Sequence, residues 1–340
     1  MRSITIIGGG LAGLTLGIAL RQRGAPMTVI EAGRYPRHRV CGEFISGAGV
    51  EVLRALQLDT LVDDHAQTAT QCAFFTTKHR LFRRALPSLG LTVSRLDLDA
   101  ALAERFRGLG GELREGERWR PQSAAEGVVC AMGRRAQPTE NGWRWFGLKI
   151  HARKTELEAD LEMHLARNSY VGLCRLANGE VNVCGLFRRK TTEPGRGEST
   201  SWLRGERGSP LFARLEQAEF DSDSSCAVAG LSLRPRAINA SECRIGDALT
   251  MIPPITGNGM SMAFESAQLA LEPLVAYARG EANWIQTTTT IADALHRAFA
   301  RRLWWAGLLH HLLFSRLSAP ALELLLSSER GWHSAFAATR

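Results

Sequence analysis

The sequence predicts an α/β protein in which a parallel, nucleotide-binding sheet is interrupted by an antiparallel sheet and followed by a helical tail. Three observations support this. Residues 4–31 read as strand, glycine-rich turn, helix and strand. The middle of the chain switches to period-two alternation and hairpin signals. From about residue 284 the pattern is helical and rich in Leu and Trp.

In the opening unit, Ile4, Ile6 and Ile7 form a short apolar run, as expected of a strand buried on both faces. Gly8, Gly10 and Gly13 follow at Gly-x-Gly-x-x-Gly spacing, with Leu11 and Ala12 between them. Leu14, Leu16, Ile18, Ala19 and Leu20 then fill a helix ending near Gly24. A second run, Met27–Ile30, ends at Glu31-Ala32. Glycine lets such a turn fold tightly, lets backbone approach a pyrophosphate and lets helix pack on strand. The helix N-terminus adds free N–H groups and the positive dipole end. Glu31 is placed to accept from ribose hydroxyls, and its charge opposes a 2′-phosphate at this site. The motif alone does not distinguish FAD from NAD.

Short strand-like pieces, Cys72–Phe75 and Leu81–Phe82, are expected between 71 and 93. Leu98, Leu102 and Phe106 have helical spacing closed by Gly110-Gly111, and Val128–Ala131 is a buried-strand candidate ending in Gly133. From Glu156 to Leu165 polar and apolar residues alternate. Leu157, Ala159, Leu161, Met163 and Leu165 take one face, and Glu156, Glu158, Asp160, Glu162 and His164 take the other. That predicts a sheet with one wet face. Tyr170–Leu176 and Glu180–Phe187 flank the hairpin signal Asn178-Gly179. A Gly-, Ser-, Thr- and Arg-rich loop spans 191–209, and Ser209-Pro210 opens a helix. A longer helix is expected from about Met260 to Ala278. The expected division is 1–70, 91–135 and 240–283 for the nucleotide-binding domain, 71–90 and 136–239 for the β-sheet domain, and 284–340 for C-terminal helices.

Composition narrows the function classes. The 340 residues carry a net charge of +8, but the arginines are dispersed and stand beside acids, as in Arg114-Glu-Gly-Glu-Arg118. No basic helix or aromatic–basic platform stands out, so nucleic-acid binding is not expected. The seven cysteines are scattered singly, without Cys-x-x-Cys pairs or Cys/His groups at ligand spacing. Reduced thiols and no metal site are therefore expected. No apolar run is long enough for a transmembrane helix. The first strand begins so near Met1 that no leader is expected, which makes a cytoplasmic location the expectation.

Arg244-Ile-Gly246-Asp247-Ala248, then Pro253-Pro254, then Gly257-Asn258-Gly259-Met260 with Ala263 and Ala267 beyond, resembles the second FAD fingerprint of class A flavoprotein monooxygenases and geranylgeranyl reductases. Ser94-Arg95-x-Asp97-x-Asp99 is similar to their arginine-bearing helix start, and Cys130-Ala-Met-Gly133-Arg134 to their strand-ending Ala-x-Gly segment. Pro36-x-x-Arg39-x-Cys41-Gly42-Glu43-Phe44 resembles the Cys-Gly-Glu signature of geranylgeranyl reductase-like flavoproteins. Gly147-Leu-Lys149, Tyr170-Val-Gly172 and Asn182-Val-Cys184 look like that subgroup's sheet domain. The resemblance is to the p-hydroxybenzoate hydroxylase superfamily. It implies a Rossmann-type (GR2-like) FAD-binding domain interrupted by an antiparallel β-sheet substrate domain. It also implies that Asp247 binds a hydroxyl of the flavin's sugar chain, that the Gly257–Gly259 turn starts a helix aimed at the flavin ring, and that Arg39, Arg95, Gly133 and Pro254 lie at the cofactor. With one fingerprint and no second Gly-x-Gly-x-x-Gly unit, NAD(P)H is implied as a transient reductant.

Four residues are the catalytic candidates. Cys41 is either a thiol working beside the flavin or a small packed cysteine. Glu43 orients substrate or flavin, or caps its loop. Lys149 reaches into the site or sits solvated. Tyr170 bonds a substrate oxygen or packs. Trp143-x-Trp145 resembles the tryptophan pair of flavin-dependent halogenases, but the Ile-Pro that should follow is absent, so halogenation is not expected. The run Leu303-Trp-Trp305 to Leu312-Leu-Phe314 either covers a substrate tunnel or makes peripheral contact with a membrane. His310 and His311 are adjacent and diverge on a helix. The expected function is an FAD-dependent, NAD(P)H-using monooxygenase acting on an apolar or aromatic small molecule, phenol- or polyketide-like. The alternatives are a reductase of C=C bonds in isoprenoid or lipid substrates and a non-catalytic flavin-binding protein.

Overall fold

The computed structural model describes residues 1–119, 125–134, 139, 141–192, 199–233, 242–315 and 319–340. In chain order the first half comprises β1 (Ile4–Ile7), α1 (Leu11–Gln22), β2 (Met27–Glu31), β3 (Phe44–Ile45), α2 (Gly47–Ala55), α3 (Asp59–Asp63), β4 (Ala66–Phe75), β5 (Arg80–Val93), α4 (Arg95–Gly108), β6 (Glu112–Glu115) and β7 (Val128–Cys130). There follow β8 (Trp143–Arg153), β9 (Leu161–Ala166), β10 (Ser169–Arg175), β11 (Val181–Lys190), α5 (Ser199–Arg204), α6 (Pro210–Leu215), β12 (Glu219–Ala229), β13 (Cys243–Arg244), α7 (Gly259–Arg279), α8 (Trp284–Phe314), α9 (Ala319–Ser327) and α10 (Glu329–Ala338).

Five strands make a parallel sheet in the order β13-β7-β1-β2-β6. Its apolar strands need cover on both faces, and one core joins Ile4, Ile6 and Val29 to Leu14 of α1, Phe106 of α4 and Leu274 of α7. The other eight strands run β12-β8-β11-β10-β9-β4-β5-β3, antiparallel except for the parallel β4–β9 pair. One face of that sheet packs Leu148, Ile150 and Val183 against Leu211 and Leu215 of α6. The opposite face holds Trp145, Tyr170 and Leu186 in a cluster with Leu313 and Phe314 of α8 and Trp332 and Phe336 of α10. Local signals hold where chain chemistry decides them. Gly179 takes φ +81 in the β10–β11 hairpin, and Ser209 Oγ accepts from the Phe212 N–H at the start of α6.

Two expectations need correction. The pieces expected between 71 and 93 are parts of two long strands, and β4 and β5 run unbroken through the expected boundaries at 70/71 and 90/91. Pro87 lies in a register shift between the Ala69–Gly90 and Gln71–Ala85 pairs, where the ladder skips residues and a proline costs no hydrogen bond. The boundaries at 135/136 and 239/240 fall outside the described residues.

The predicted wet face of Glu156–Leu165 is covered along its strand, while Glu156 stays exposed. Only Leu161–Ala166 is strand, and Glu162 and His164 are buried. Arg214 of α6 donates to Glu162 at 3.1 Å, His164 Nε2 lies 3.0 Å from the same carboxylate, and Phe75 stacks on the imidazole. Alternation gives the faces but not what covers them. The tail run turns part of its apolar surface inward, while Trp304 stays exposed. Leu303 packs into the nucleotide-binding core, Leu309 and Leu313 turn towards a cavity, and no described helix is long and apolar enough to cross a membrane.

Candidate FAD site and adjoining cavity

The glycine turn divides into packed and open positions. A Cβ at Gly8 would lie 2.3 Å from the Ala131 carbonyl oxygen, and one at Gly13 would lie 1.9 Å from the Gly8 carbonyl oxygen, so both glycines are demanded by backbone approach. A Cβ at Gly10 would meet nothing within 4 Å. Gly10 is also the N-cap of α1 and brings no side-chain acceptor, so no cap side chain takes the first-turn N–H groups of Leu11, Ala12 and Gly13. The second fingerprint abuts this turn: a Cβ at Gly246, at φ +57, would stand 2.9 Å from Ala12 Cβ. Asp247 is thereby held near the mouth of α1, half-buried, with Arg134 Nε 3.9 Å from its carboxylate. Burial pushes the Asp247 carboxyl up, with Arg134 and Arg95 acting against that shift.

The Gly257 turn, at φ +62, ends beside Phe44. Beyond it α7 begins at Gly259, exposed and open around its Cα, over the buried Met260. Asn258, expected at the cofactor as part of this turn, directs its side chain elsewhere. It is wholly buried, its Oδ1 accepts from Ser46 and its amide donates to the Thr339 carbonyl at 2.7 Å. It is a brace behind the turn, and the α7 N-terminus is left without a side-chain cap. Two uncapped helix N-termini, open glycines at 10, 133 and 259, and a half-exposed aspartate between them fit an extended dinucleotide.

A lattice of charges edges this cleft. Glu31 accepts from the N–H groups of Gly9 at 2.7 Å and Gly33 at 2.8 Å, with Arg37 Nη2 2.5 Å away. Burial raises its pKa, but Gly33, Arg37, Arg39 and Gly9 together hold it below the ordinary carboxylate range. Its oxygens are thus engaged by the protein, and a ribose hydroxyl would have to share them. Ala32 is exposed beside it. Asp99, fully buried, takes a two-pronged contact from Arg95 at 2.7 and 2.8 Å and a third from Arg39 at 3.0 Å.

Residues 38–43 lie across the eight-stranded sheet. The Asn182 amide donates to the Cys41 carbonyl, Cys174 Sγ donates to the Gly42 carbonyl, and Val40 covers Gly147. Glu43, at φ +54 and fully buried, accepts from the Arg95 N–H at 2.9 Å and lies 2.8 Å from His151 Nε2 and 3.5 Å from Lys149 Nζ. Burial alone would raise its pKa; His151 and Lys149 outweigh that and lower it. Lys149 is also fully buried and donates to His38 Nδ1 at 2.9 Å. Neither of the alternatives for Lys149 holds: it is neither solvated nor free to reach a ligand. Cys41 is half-buried, accepts from the Glu43 N–H and contacts the Arg95 guanidinium.

Beside this loop opens a cavity of about 170 Å³ between the sheet, the 255–257 turn and the C-terminal helices. Its walls include Phe44, Phe74, Met163, Leu313, Trp332 and Phe336. Leu161, Met163 and Leu165, the apolar stripe of the alternating segment, all face it. Tyr170 does not line it. The ring is buried among Trp145, Leu186 and Phe314, and its hydroxyl faces the Ile255 N–H without closing a hydrogen bond of ordinary geometry. Burial pushes that phenol far up. The structure therefore brings Cys41, Glu43 and Lys149 together and leaves Tyr170 apart. Sequence reasoning missed His38, His151 and Arg340. His151 stands two residues from Lys149 on the same strand face, a signal available in the alternation, but nothing local marks Arg340.

Residues 1–141 match the family of FAD-binding domains. The fold is shared with Pseudomonas aeruginosa PqsL, solved with 2-aminobenzoylacetate, at a TM-score of 0.72 and 16% identity over 94% of this chain and 99% of that one. The flavin-dependent brominase Bmp2 is similar at a TM-score of 0.76 and 17% identity, over 99% of this chain and 93% of its own. A geranylgeranyl bacteriochlorophyll reductase-like protein from Thermoplasma acidophilum is similar at a TM-score of 0.74 and 16% identity, over 99% of this chain and 96% of that one. No curated protein matches the chain. Domain match, sheet topology and the paired glycine turns agree: residues 1–141 carry an FAD-binding domain, and the chain as a whole shares its fold with these three proteins.

Proposed function

We propose that the protein is an NAD(P)H-dependent monooxygenase that hydroxylates an apolar or aromatic small molecule in the cavity beside the Gly257 turn. The observation behind this reading is the cavity itself, walled by Phe44, Phe74, Met163 and Trp332 and bounded by the turn that opens α7. FAD, when bound, supplies the electron and oxygen chemistry. The chain's own part is to hold the cofactor through the first turns of α1 and α7 and Asp247. It also seats an apolar body against the sheet and excludes water through α8 and α10. That PqsL was solved with the aromatic ligand 2-aminobenzoylacetate supports the substrate class.

The second reading, reduction of a carbon–carbon double bond, needs a proton donor at the substrate. Among the described lining residues the Cys72 thiol is pushed up to about 12 by burial, and Cys174 is pushed well above its usual value and donates to the Gly42 carbonyl. Neither is a ready acid, and the carboxylate of the lining Glu162 is taken by Arg214 and His164, which favours oxygenation. The test is anaerobic and aerobic turnover of a panel of phenols and apolar alkenes with NADH or NADPH. Oxygen uptake matched by a hydroxylated product supports the proposal. A product gaining two hydrogens without oxygen consumption overturns it in favour of the reductase.

A further inference from the structure

The cavity wall carries a guanidinium that no side-chain carboxylate pairs with among the described residues, the lining Glu162 being held by Arg214 and His164. It belongs to Arg340, at the side formed by Thr256 and Cys72. One guanidinium nitrogen donates to the Thr256 carbonyl at 3.1 Å, and another lies 3.4 Å from the Phe336 carbonyl and 3.3 Å from Thr339 Oγ1. The Phe336 ring lies against the guanidinium plane at 3.4 Å. Its Nε is buried without a partner. No side-chain carboxylate pairs with it among the described residues, and the charge of Arg302 acts on it unfavourably. Burial pushes its pKa down to about 9, so it is still charged at neutral pH. The other buried arginine of the site is matched: Arg95 meets Asp99 with two hydrogen bonds.

We infer that the ligand of this cavity is an amphipathic anion, an apolar or aromatic body carrying a carboxylate that pairs with the Arg340 guanidinium. The inference narrows the substrate class of the proposed function and rests on that function's use of this cavity. A planar guanidinium held at its rear by carbonyl oxygens and by a ring face is oriented to offer its remaining N–H groups as a fork to a carboxylate. An anion there supplies a counter-ion, and the rest of the molecule lies against Phe74, Met163 and Trp332.

The test uses the FAD-loaded protein, wild type and Arg340→Gln, titrated at pH 7.5 with 4-phenylbutanoate and its uncharged amide, 4-phenylbutanamide. Binding is read by flavin absorbance and calorimetry. The Gln side chain keeps a donor for the Thr256 carbonyl but no charge, so a purely structural role would move both probes together. The expected result is that wild type binds the acid at least about tenfold more tightly than the amide. In the variant that ratio falls to near one, with amide affinity within about twofold of wild type. Equal binding of acid and amide by wild type overturns the inference and leaves the apolar cavity intact. Persistence of the acid preference in the variant also overturns it, by placing anion recognition elsewhere. If neither probe binds, the cavity is not the ligand site, and the inference falls with the reading beneath it.

Discussion

Replacing Glu43 by Gln removes the one carboxylate that Lys149 meets among the described residues. The two groups are 3.5 Å apart and both fully buried. At an effective dielectric of about 20, their attraction is about 5 kcal/mol, and breaking a buried pair by deleting one partner costs roughly 3–5 kcal/mol. The two deletions are not equivalent. Without Glu43, Lys149 keeps only His38; without Lys149, Glu43 keeps His151 and the Arg95 N–H. Glu43→Gln should therefore cost about 3–5 kcal/mol, and Lys149→Met less. The double variant should be more stable than Glu43→Gln alone, because it no longer strands an ammonium in the interior. Urea unfolding followed by far-UV circular dichroism, at fixed excess FAD, measures all three. The acid limb provides a second check. Glu43 has a folded pKa below the ordinary 4.5, so its stabilisation is present above that value and is lost as pH falls through the lower folded pKa. A loss under about 1 kcal/mol in Glu43→Gln, or a double variant no better than that single one, would refute the view that this charge pair holds the loop to the sheet.

Three further outcomes follow from the site. Asp247→Ala removes a half-exposed carboxylate beside α1 and should weaken FAD binding by about 1.5–3 kcal/mol, or roughly 10- to 150-fold, by equilibrium titration of the stripped protein; unchanged affinity in a folded variant excludes Asp247 as a ligand. Tyr170→Phe removes a hydroxyl that makes no good hydrogen bond, so stability should be unchanged or higher and turnover within about twofold, whereas a tenfold loss of kcat with FAD retained would restore a catalytic role. His310 is held neutral between Trp145 and Phe314, with its pKa pushed down to about 4 by burial and by Arg188 and His311. The unfolded chain binds the extra proton first, so this site loses stability as pH falls from 6.5 towards 4. His310→Phe should flatten that limb by about 1–3 kcal/mol, and an unaltered pH profile of unfolding would contradict the assignment.

The sequence made the nucleotide-binding opening legible because each glycine there answers a local geometric demand: Gly8 and Gly13 to backbone contact, Gly10 to open space. The long antiparallel sheet was legible as a sheet, through period two and Asn178-Gly179. What alternation could not show is which face would be covered. Glu162 and His164 read as solvated because Arg214, which buries them, lies some fifty residues further on. Asn258 looked like a cofactor ligand from its motif, yet its side chain turns back to Ser46 and Thr339. Lys149 and Arg340 illustrate the same limit. A buried charge is defined by partners distant in sequence, or by their absence, and neither is written locally.

The segment from His38 to Phe44 has a consequence for recombination among relatives. It belongs by sequence to the nucleotide-binding half, but its carbonyls are held by Asn182 and Cys174, its carboxylate by His151 and Lys149, and its end pairs as β3 with β5. Grafting a foreign substrate sheet in place of residues 136–239 would leave Glu43 facing unmatched side chains and Val40 without Gly147 beneath it. The unit that evolution or an engineer can exchange intact is therefore the sheet together with this strap, not the sheet alone.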